Sequence, residues 1–248
     1  MSAGAVRPER GVLLALDAAP GVGSVALVRT GEIVIARAVA MRSSVSPADR
    51  VAGVHDDDPL MRAVAETLTE GGLAPRDLGG VACGAGPGGF TSLRIAAAIA
   101  KGLAHAAGCP LLAGPSLAWA AAMRAPAPGV WLVTLDALRG ESYVARVELG
   151  PRSRGLLGEG WPVVAYTDLG VQPSDSVPTL AGAVAAIDVL AIDADAMNAP
   201  IAAGAVAWPL AEVDLARWEP RYGRQAEAQV RWEAAHGPLP APNSAPTT

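Results

Sequence analysis

Residues 11–17 (GVLLALD) form an uninterrupted apolar run closed by Asp17, the pattern of a strand buried on both faces. A turn rich in Pro and Gly (Pro20, Gly21, Gly23) leads into SVALVRT, and Gly31 separates that run from EIVIARAVA. The spacing predicts a three-stranded antiparallel meander over residues 12–39. Residues 40–57 are polar and irregular. From Pro59, the positions of Leu60, Met61, Val64, Ala65 and Leu68 draw one helical stripe that Gly71 and Gly72 stop. GVACG at residues 80–84 predicts a short buried strand. A glycine-dense loop follows, and then an Ala-rich helix from about Thr91 to Ala107.

The stretch from Gly102 to Met123 contains no Asp, Glu, Lys or Arg and is long enough to span a bilayer. Gly108, Pro110, Gly114 and Pro115 cut it, however, into a helix end, a short strand and a new helix from Leu117 to Arg124, which reads as buried core. The second half then restarts the theme: VWLVTLD runs from Val130 to Asp136, Gly140 marks a turn, and ESYVARVEL returns in alternation. A strand, an Asp at its end, a turn and a returning strand thus occur twice, which predicts two related lobes. The expected division is an N-terminal lobe over 1–113, a C-terminal lobe over 114–225 and a compositionally disordered tail over 226–248.

Composition narrows the picture. The chain has 248 residues, 51% of them hydrophobic and 17% charged, and a formal net charge of −5, enough chain and apolar content for a real core and too much apolar content for intrinsic disorder. Ala dominates, Lys101 is the single Lys and Phe90 the single Phe. The core must therefore be assembled from Ala, Val and Leu, with elements approaching closely. Net acidity gives no global basic footprint, which disfavours stand-alone nucleic-acid binding. Cys83 and Cys109 form neither a CxxC nor a disulfide framework, and the charged N-terminal residues lack the apolar run of a signal peptide, so a cytoplasmic location is expected.

The densest local signal is Gly84-Ala-Gly-Pro-Gly-Gly-Phe-Thr-Ser-Leu-Arg94. A strand here runs into a glycine loop that opens a helix, whose free N–H groups favour anions and for which Thr91 or Ser92 can serve as N-cap. Residues 84–89 match GxGxxG literally. Yet Pro87 removes a donor, and no Asp or Glu occurs between Gly89 and Asp136, where a dinucleotide fingerprint expects one. A Gly-Lys-Ser/Thr phosphate loop is absent. A tight strand-to-helix turn without a ligand is the alternative.

GPGGFTSLR, followed by GLAHAAGCPLLAGPSL, resembles the signature of the TsaB (YeaZ) family, which belongs to the actin-like, sugar-kinase and Hsp70-related superfamily and carries glycoprotease-like or peptidase M22-like labels. Three further segments agree in order: LLALDAAPGVGSVAL; LDALRGESYVARVE, at Asp136, Arg139 and Tyr143; and EPRYGR, at Pro220, Tyr222 and Arg224. The resemblance spans about residues 11–225. It departs at Gly89, Ser92 and Gly223, and at VHDDDPLM before the first helix. It implies an α/β fold of the actin-like ATPase superfamily, with two lobes each built on a mixed β-sheet flanked by helices. Gly86, Pro87, Gly88, Phe90, Thr91 and Arg94 would form the signature loop. Asp17, Ser24 and Asp136 would be degenerate phosphate-loop positions, although each Asp can equally cap the turn that follows it.

Catalytic chemistry is sparse. His55, His105 and His236 are far apart, so the HxxxH pair by which the related TsaD is expected to hold a metal is missing. His55 beside Asp56, Asp57 and Asp58 reads as a solvated acidic loop rather than a cation site. HExxH and GxSxG are absent. The resemblance therefore implies no catalytic residue, metal or cofactor in this chain, and a scaffold that binds and activates a TsaD-like subunit for threonylcarbamoyl transfer to the adenosine beside the anticodon of tRNAs reading codons that begin with A. A TsaE-like ATPase and tRNA would join through the complex, with ATP and metal in the partner subunits. Leu60, Met61, Val64, Leu68, Ala97 and Lys101, on the two N-terminal helices, are candidate interface positions for TsaD or a second copy, or ordinary core. The alternative functions are a nucleotide-dependent kinase or hydrolase of the same fold and, more remotely, an M22-type peptidase.

Overall fold

The computed structural model describes residues 11–41, 58–151, 160–192, 200–223, 231–232 and 235–237. Three strands, β1 (Val12–Asp17), β2 (Val22–Arg29) and β3 (Glu32–Ala40), form the antiparallel meander foreseen in the sequence. Helix α1 (Pro59–Glu70) begins at Asp58, whose carboxylate accepts from the N–H groups of Leu60 and Met61. Strand β4 (Gly80–Gly84) is followed by α2 (Phe90–Ala107), β5 (Leu111–Gly114) and α3 (Ser116–Arg124). Then come β6 (Gly129–Asp136), β7 (Glu141–Leu149), β8 (Val163–Pro173), α4 (Val177–Ala183), β9 (Asp188–Ile192), a 3-10 segment (Ile201–Ala207) and β10 (Ala211–Glu212). The charge-free stretch is a helix end, a strand and a new helix, and among the described residues no helix is long and apolar enough to cross a membrane.

The strands make two mixed sheets, ordered β10-β5-β4-β1-β2-β3 and β8-β7-β6-β9. In the first, β4 lies parallel to β1 and β2 antiparallel to it; in the second, β9 is parallel to β6 and β7 antiparallel to it. The internal repeat is thus one topology used twice, β3-β2-β1-β4 corresponding to β8-β7-β6-β9. It extends to a residue pair: Asp17 stands opposite Ser24 across β1 and β2, and Asp136 opposite Ser142 across β6 and β7.

Period-two alternation sorts the strand side chains between layers. In β1, Val12, Leu14 and Leu16 pack with α1 and α2 on the outer face, while Leu13 and Ala15 face a middle layer made of α3 and the 3-10 segment. Trp131, Val133 and Leu135 of β6 close that middle layer from the second sheet, and Leu132 turns to Val177 of α4 on the far side. Ala118, Ala120, Ala121, Ala122, Ala202, Ala203 and Ala205 fill the centre. There a Cβ on Gly204 would overlap the backbone of Trp119, so the absence of a side chain at Gly204 is what lets these two segments touch.

Two local expectations need correction. The buried stripe of α1 is Leu60, Ala63, Val64, Thr67 and Leu68, whereas Met61 and Ala65 face outward. Thr67 enters the core because its hydroxyl donates to Ala63 O at 2.7 Å, which satisfies it within the helix. Neither Thr91 nor Ser92 caps α2: the N-cap is Gly89, and Ser92 Oγ donates back to Gly89 O at 3.0 Å.

Candidate functional site

Parallel pairing of β1, β4 and β5 brings Asp17, Gly84 and Gly114 to one end of the first sheet, and the chain turns from β5 straight into Ser116. This geometry builds a buried polar knot. Asp17 is fully buried; its Oδ1 accepts from Ala19 N at 2.9 Å and its Oδ2 from Ser116 Oγ at 2.5 Å. Ser116 Oγ in turn accepts from Gly86 N at 3.0 Å, and Ser116 N donates to Gly86 O. Burial pushes the Asp17 carboxyl up to about 6, against the opposing pull of the Ser116 and Ala19 hydrogen bonds and the Arg124 charge. The neighbouring Cys83 thiol is pushed far up by burial and by the Asp17 charge, as an inert core thiol.

The glycine loop is packed against protein. A Cβ on Gly84 would overlap the Asp17 carboxylate, one on Gly86 the carbonyl of Arg221, and one on Gly88 the backbone of Ala19. Its donors are committed as well: Ala85 N to Gly114 O, Gly86 N to Ser116 Oγ and Gly89 N to Ala19 O. Pro87 has none. An anion-binding loop needs such groups pointing outward. Here three are spent inside the fold.

The other two phosphate-loop candidates are placed differently. Ser24 is buried; its hydroxyl accepts from Ala202 N at 3.0 Å and pins the 3-10 segment to β2. Asp136 is exposed at the end of β6, where Oδ1 caps the turn by accepting from Leu138 N at 2.7 Å, as Asp17 does with Ala19. The repeat therefore supplies two carboxylates in equivalent positions, one sealed in and one solvated.

Three segments singled out in the sequence converge beside this knot. Arg221 N donates to Ala85 O at 2.7 Å, Tyr143 Oη donates to Tyr222 O at 3.1 Å, and a Cβ on Gly223 would overlap the Tyr143 ring. The Phe90 and Tyr222 rings lie 4.5 Å apart at 45°, and the Arg94 guanidinium sits 5.1 Å from the Phe90 centroid. Gly223, a departure from the family pattern, is thus fitted to its neighbour. Arg221 also pairs with Asp168 of β8 at 3.1 Å, so the C-terminal segment ties the first sheet to the second. Nothing in the sequence pattern marked Asp168. Ser116 stood in the quoted signature without an assigned role. Thr91 and Arg94 are exposed, and Arg224, His55, Asp56 and Asp57 lie outside the described residues.

The candidate interface residues need correction too. Leu60, Val64, Leu68 and Ala97 are buried in the chain's own core, and Lys101 Nζ donates to Ala216 O at 3.5 Å. Of the six, Met61 alone is strongly exposed, at 43%. The outward face of α1 is Met61, Arg62, Ala65, Glu66, Thr69 and Glu70, and that of α2 includes Arg94, Ala98, Gly102 and His105. Burying a helix's largest apolar side chains against its own sheet leaves the opposite, more polar or smaller stripe for any partner. Among the described residues, no three His, Cys, Asp or Glu side chains come together.

Two duplicated mixed sheets, a shared helical middle layer and flanking helices define an α/β protein of the actin-like ATPase type. Residues 49–171 match the family model described as TsaD, tRNA N6-adenosine threonylcarbamoyltransferase. No curated protein matches the chain at the level of sequence. A solved structure from Pseudomonas aeruginosa, described as an uncharacterized protein with similarity to peptidase YEAZ, superposes with a TM-score of 0.57 and 25% identity, covering 86% of this chain and 100% of its own. A second, YeaZ from Pseudomonas aeruginosa, gives a TM-score of 0.57 at 24% identity over 86% of this chain and 99% of its own. The family match and the likeness to the first of these structures agree with the resemblance to the TsaB (YeaZ) family read from the sequence.

Proposed function

We propose that this chain is a non-catalytic scaffold subunit of the tRNA modification system to which its family belongs: it binds a TsaD-like catalytic subunit and activates it for threonylcarbamoyl transfer to the adenosine next to the anticodon. The observation that carries the reading is the fate of the nucleotide-handling positions. Asp17 is sealed beneath Gly84 and Ser116, and the donors of the glycine loop at Ala85, Gly86 and Gly89 are consumed by the fold. Residues that could serve phosphate or a metal instead lock β1, β4, β5 and α3 into one rigid unit. ATP and metal then belong to the partners, a TsaD-like transferase and a TsaE-like ATPase, and tRNA joins the assembled complex.

Docking by the outward faces of α1 and α2 accords with this role, because both helices are anchored by their inner stripes and present stable outer ones. The same faces serve a second copy of the chain when the catalytic subunit is absent. The direct test is calorimetry of the purified chain with ATP and magnesium, beside titration with the TsaD-like subunit. The expected result is no measurable nucleotide binding or hydrolysis and saturable binding of the protein partner. Tight ATP binding lost on Asp17→Ala or Asp136→Ala would instead establish a nucleotide-dependent enzyme.

A further inference from the structure

The loop from Ala85 to Gly89 is Ala-Gly-Pro-Gly-Gly, with a methyl and a proline ring as its only side chains, so hydrogen bonds rather than side-chain packing must set its course. Those bonds lead to one carboxylate by two routes. Asp17 Oδ2 accepts from Ser116 Oγ, which accepts in turn from Gly86 N at 3.0 Å. Asp17 Oδ1 accepts from Ala19 N at 2.9 Å, and Ala19 O accepts from Gly89 N at 3.1 Å. One route holds the start of the loop and the other its end. Ala85 N to Gly114 O, Ser116 N to Gly86 O and Arg221 N to Ala85 O join backbone to backbone, whereas the hold on Gly86 N depends on a side chain.

Gly89 is where the loop becomes α2: it is the N-cap, and Leu93 N donates to Gly89 O at 3.0 Å. Gly86 touches the same turn, since a Cβ there would stand 3.0 Å from Leu93 Cδ1. Leu93 is fully buried, while its neighbour Arg94, and Ala98 one turn further on, look outward. A shift at either end of the loop therefore reaches the outer face through the first turn of the helix. We propose that Asp17 and Ser116 are positioning residues for subunit docking: by holding Gly86 and Gly89 they fix where α2 presents Arg94 and Ala98 to the TsaD-like partner; this rests on the function proposed above. Both residues are sealed in the core, so they act by preorganising a surface they do not belong to. Removing the Ser116 hydroxyl takes the acceptor from Gly86 N and one of two donors from Asp17, and leaves the exposed side chains as they were.

The test compares wild type, Ser116→Ala and Val177→Ala in the full chain. Val177 lies in α4 on the far side of the second sheet, so its truncation loosens the core away from the loop. Hydrogen–deuterium exchange and calorimetric titration with the TsaD-like subunit are read at a temperature where every variant is folded. Ser116→Ala is expected to raise exchange over residues 85–94 about tenfold, leave the second sheet unchanged, and weaken subunit binding about tenfold. Val177→Ala is expected to bind like wild type. Ser116→Cys keeps the volume with a weaker hydrogen-bonding group; it is expected to fall between wild type and Ser116→Ala, and it carries the same test if Ser116→Ala does not fold. Unaltered subunit binding in the Ser116 variants, an equal loss in Val177→Ala, or exchange raised evenly over the whole chain each overturns the positioning role and leaves the scaffold reading standing. Failure of the wild type to bind the subunit removes the scaffold reading, and the positioning role with it.

Discussion

The Asp17 carboxylate and the Ser116 hydroxyl, 99 residues apart, meet at 2.5 Å in a fully enclosed site. The bond joins the end of β1 to the start of α3, and through Ser116 it reaches Gly86 in the glycine loop. A position that could direct a metal in an active relative of this fold is here a fastening between layers.

That fastening makes stability depend on pH. Burial raises the Asp17 carboxyl from 3.8 to about 6, so the folded state favours the protonated form. Its contribution is full below the unfolded value of 3.8 and is lost as pH rises through about 6. Asp17→Asn keeps an acceptor for Ala19 N and removes the titration. Denaturant unfolding should show wild type losing about 2 kcal/mol relative to Asp17→Asn between pH 4.5 and pH 7.5. A constant difference across that interval would show that Asp17 is not held as described.

Two glycines should respond in opposite senses. Gly84→Ala forces the Asp17 carboxylate out of its place against Ser116 and Ala19, at a cost of about 2–4 kcal/mol. Gly102, in the exposed face of α2 with nothing within 4 Å of an added Cβ, should tolerate Ala with a gain of about 0.5–1 kcal/mol. Thermal unfolding of both variants reads the contrast. Similar melting temperatures for the two would contradict the packing at Gly84.

Inner and outer stripes of the N-terminal helices separate folding from docking. Val64→Asp places an unpaired charge in the core and should cost on the order of 4 kcal/mol, which loses binding only because the fold is lost. Ala98→Arg, on the outer face of α2, should leave circular dichroism and melting unchanged while weakening capture of the TsaD-like subunit at least tenfold. Undiminished capture would move the docking surface off α2.

Much of the architecture is legible in the chain because it follows from local patterns. The apolar runs ending in Asp17 and Asp136 place β1 and β6 to within a residue, and Gly71, Gly108 and Gly140 mark a helix end or a turn where they fall. Size-based patterning misjudged α1, where Met61 points out and Thr67 points in, because a hydroxyl that bonds its own helix can be buried cheaply. The knot and the ring cluster are non-local. Ser116 on Asp17, Tyr222 on Phe90 and Arg221 on Asp168 follow from strand order and from the path of the C-terminal segment, which no periodicity in the sequence encodes.

In the proposed function, this chain enables a transfer it does not perform. This role is tested most directly by quantifying threonylcarbamoyladenosine in tRNA after reconstitution with each subunit left out in turn. The expected result is no product from this chain alone, product when the TsaD-like and TsaE-like subunits are added, and its loss when this chain is withheld. Modification of tRNA by this chain alone, or undiminished modification without it, would overturn the scaffold role.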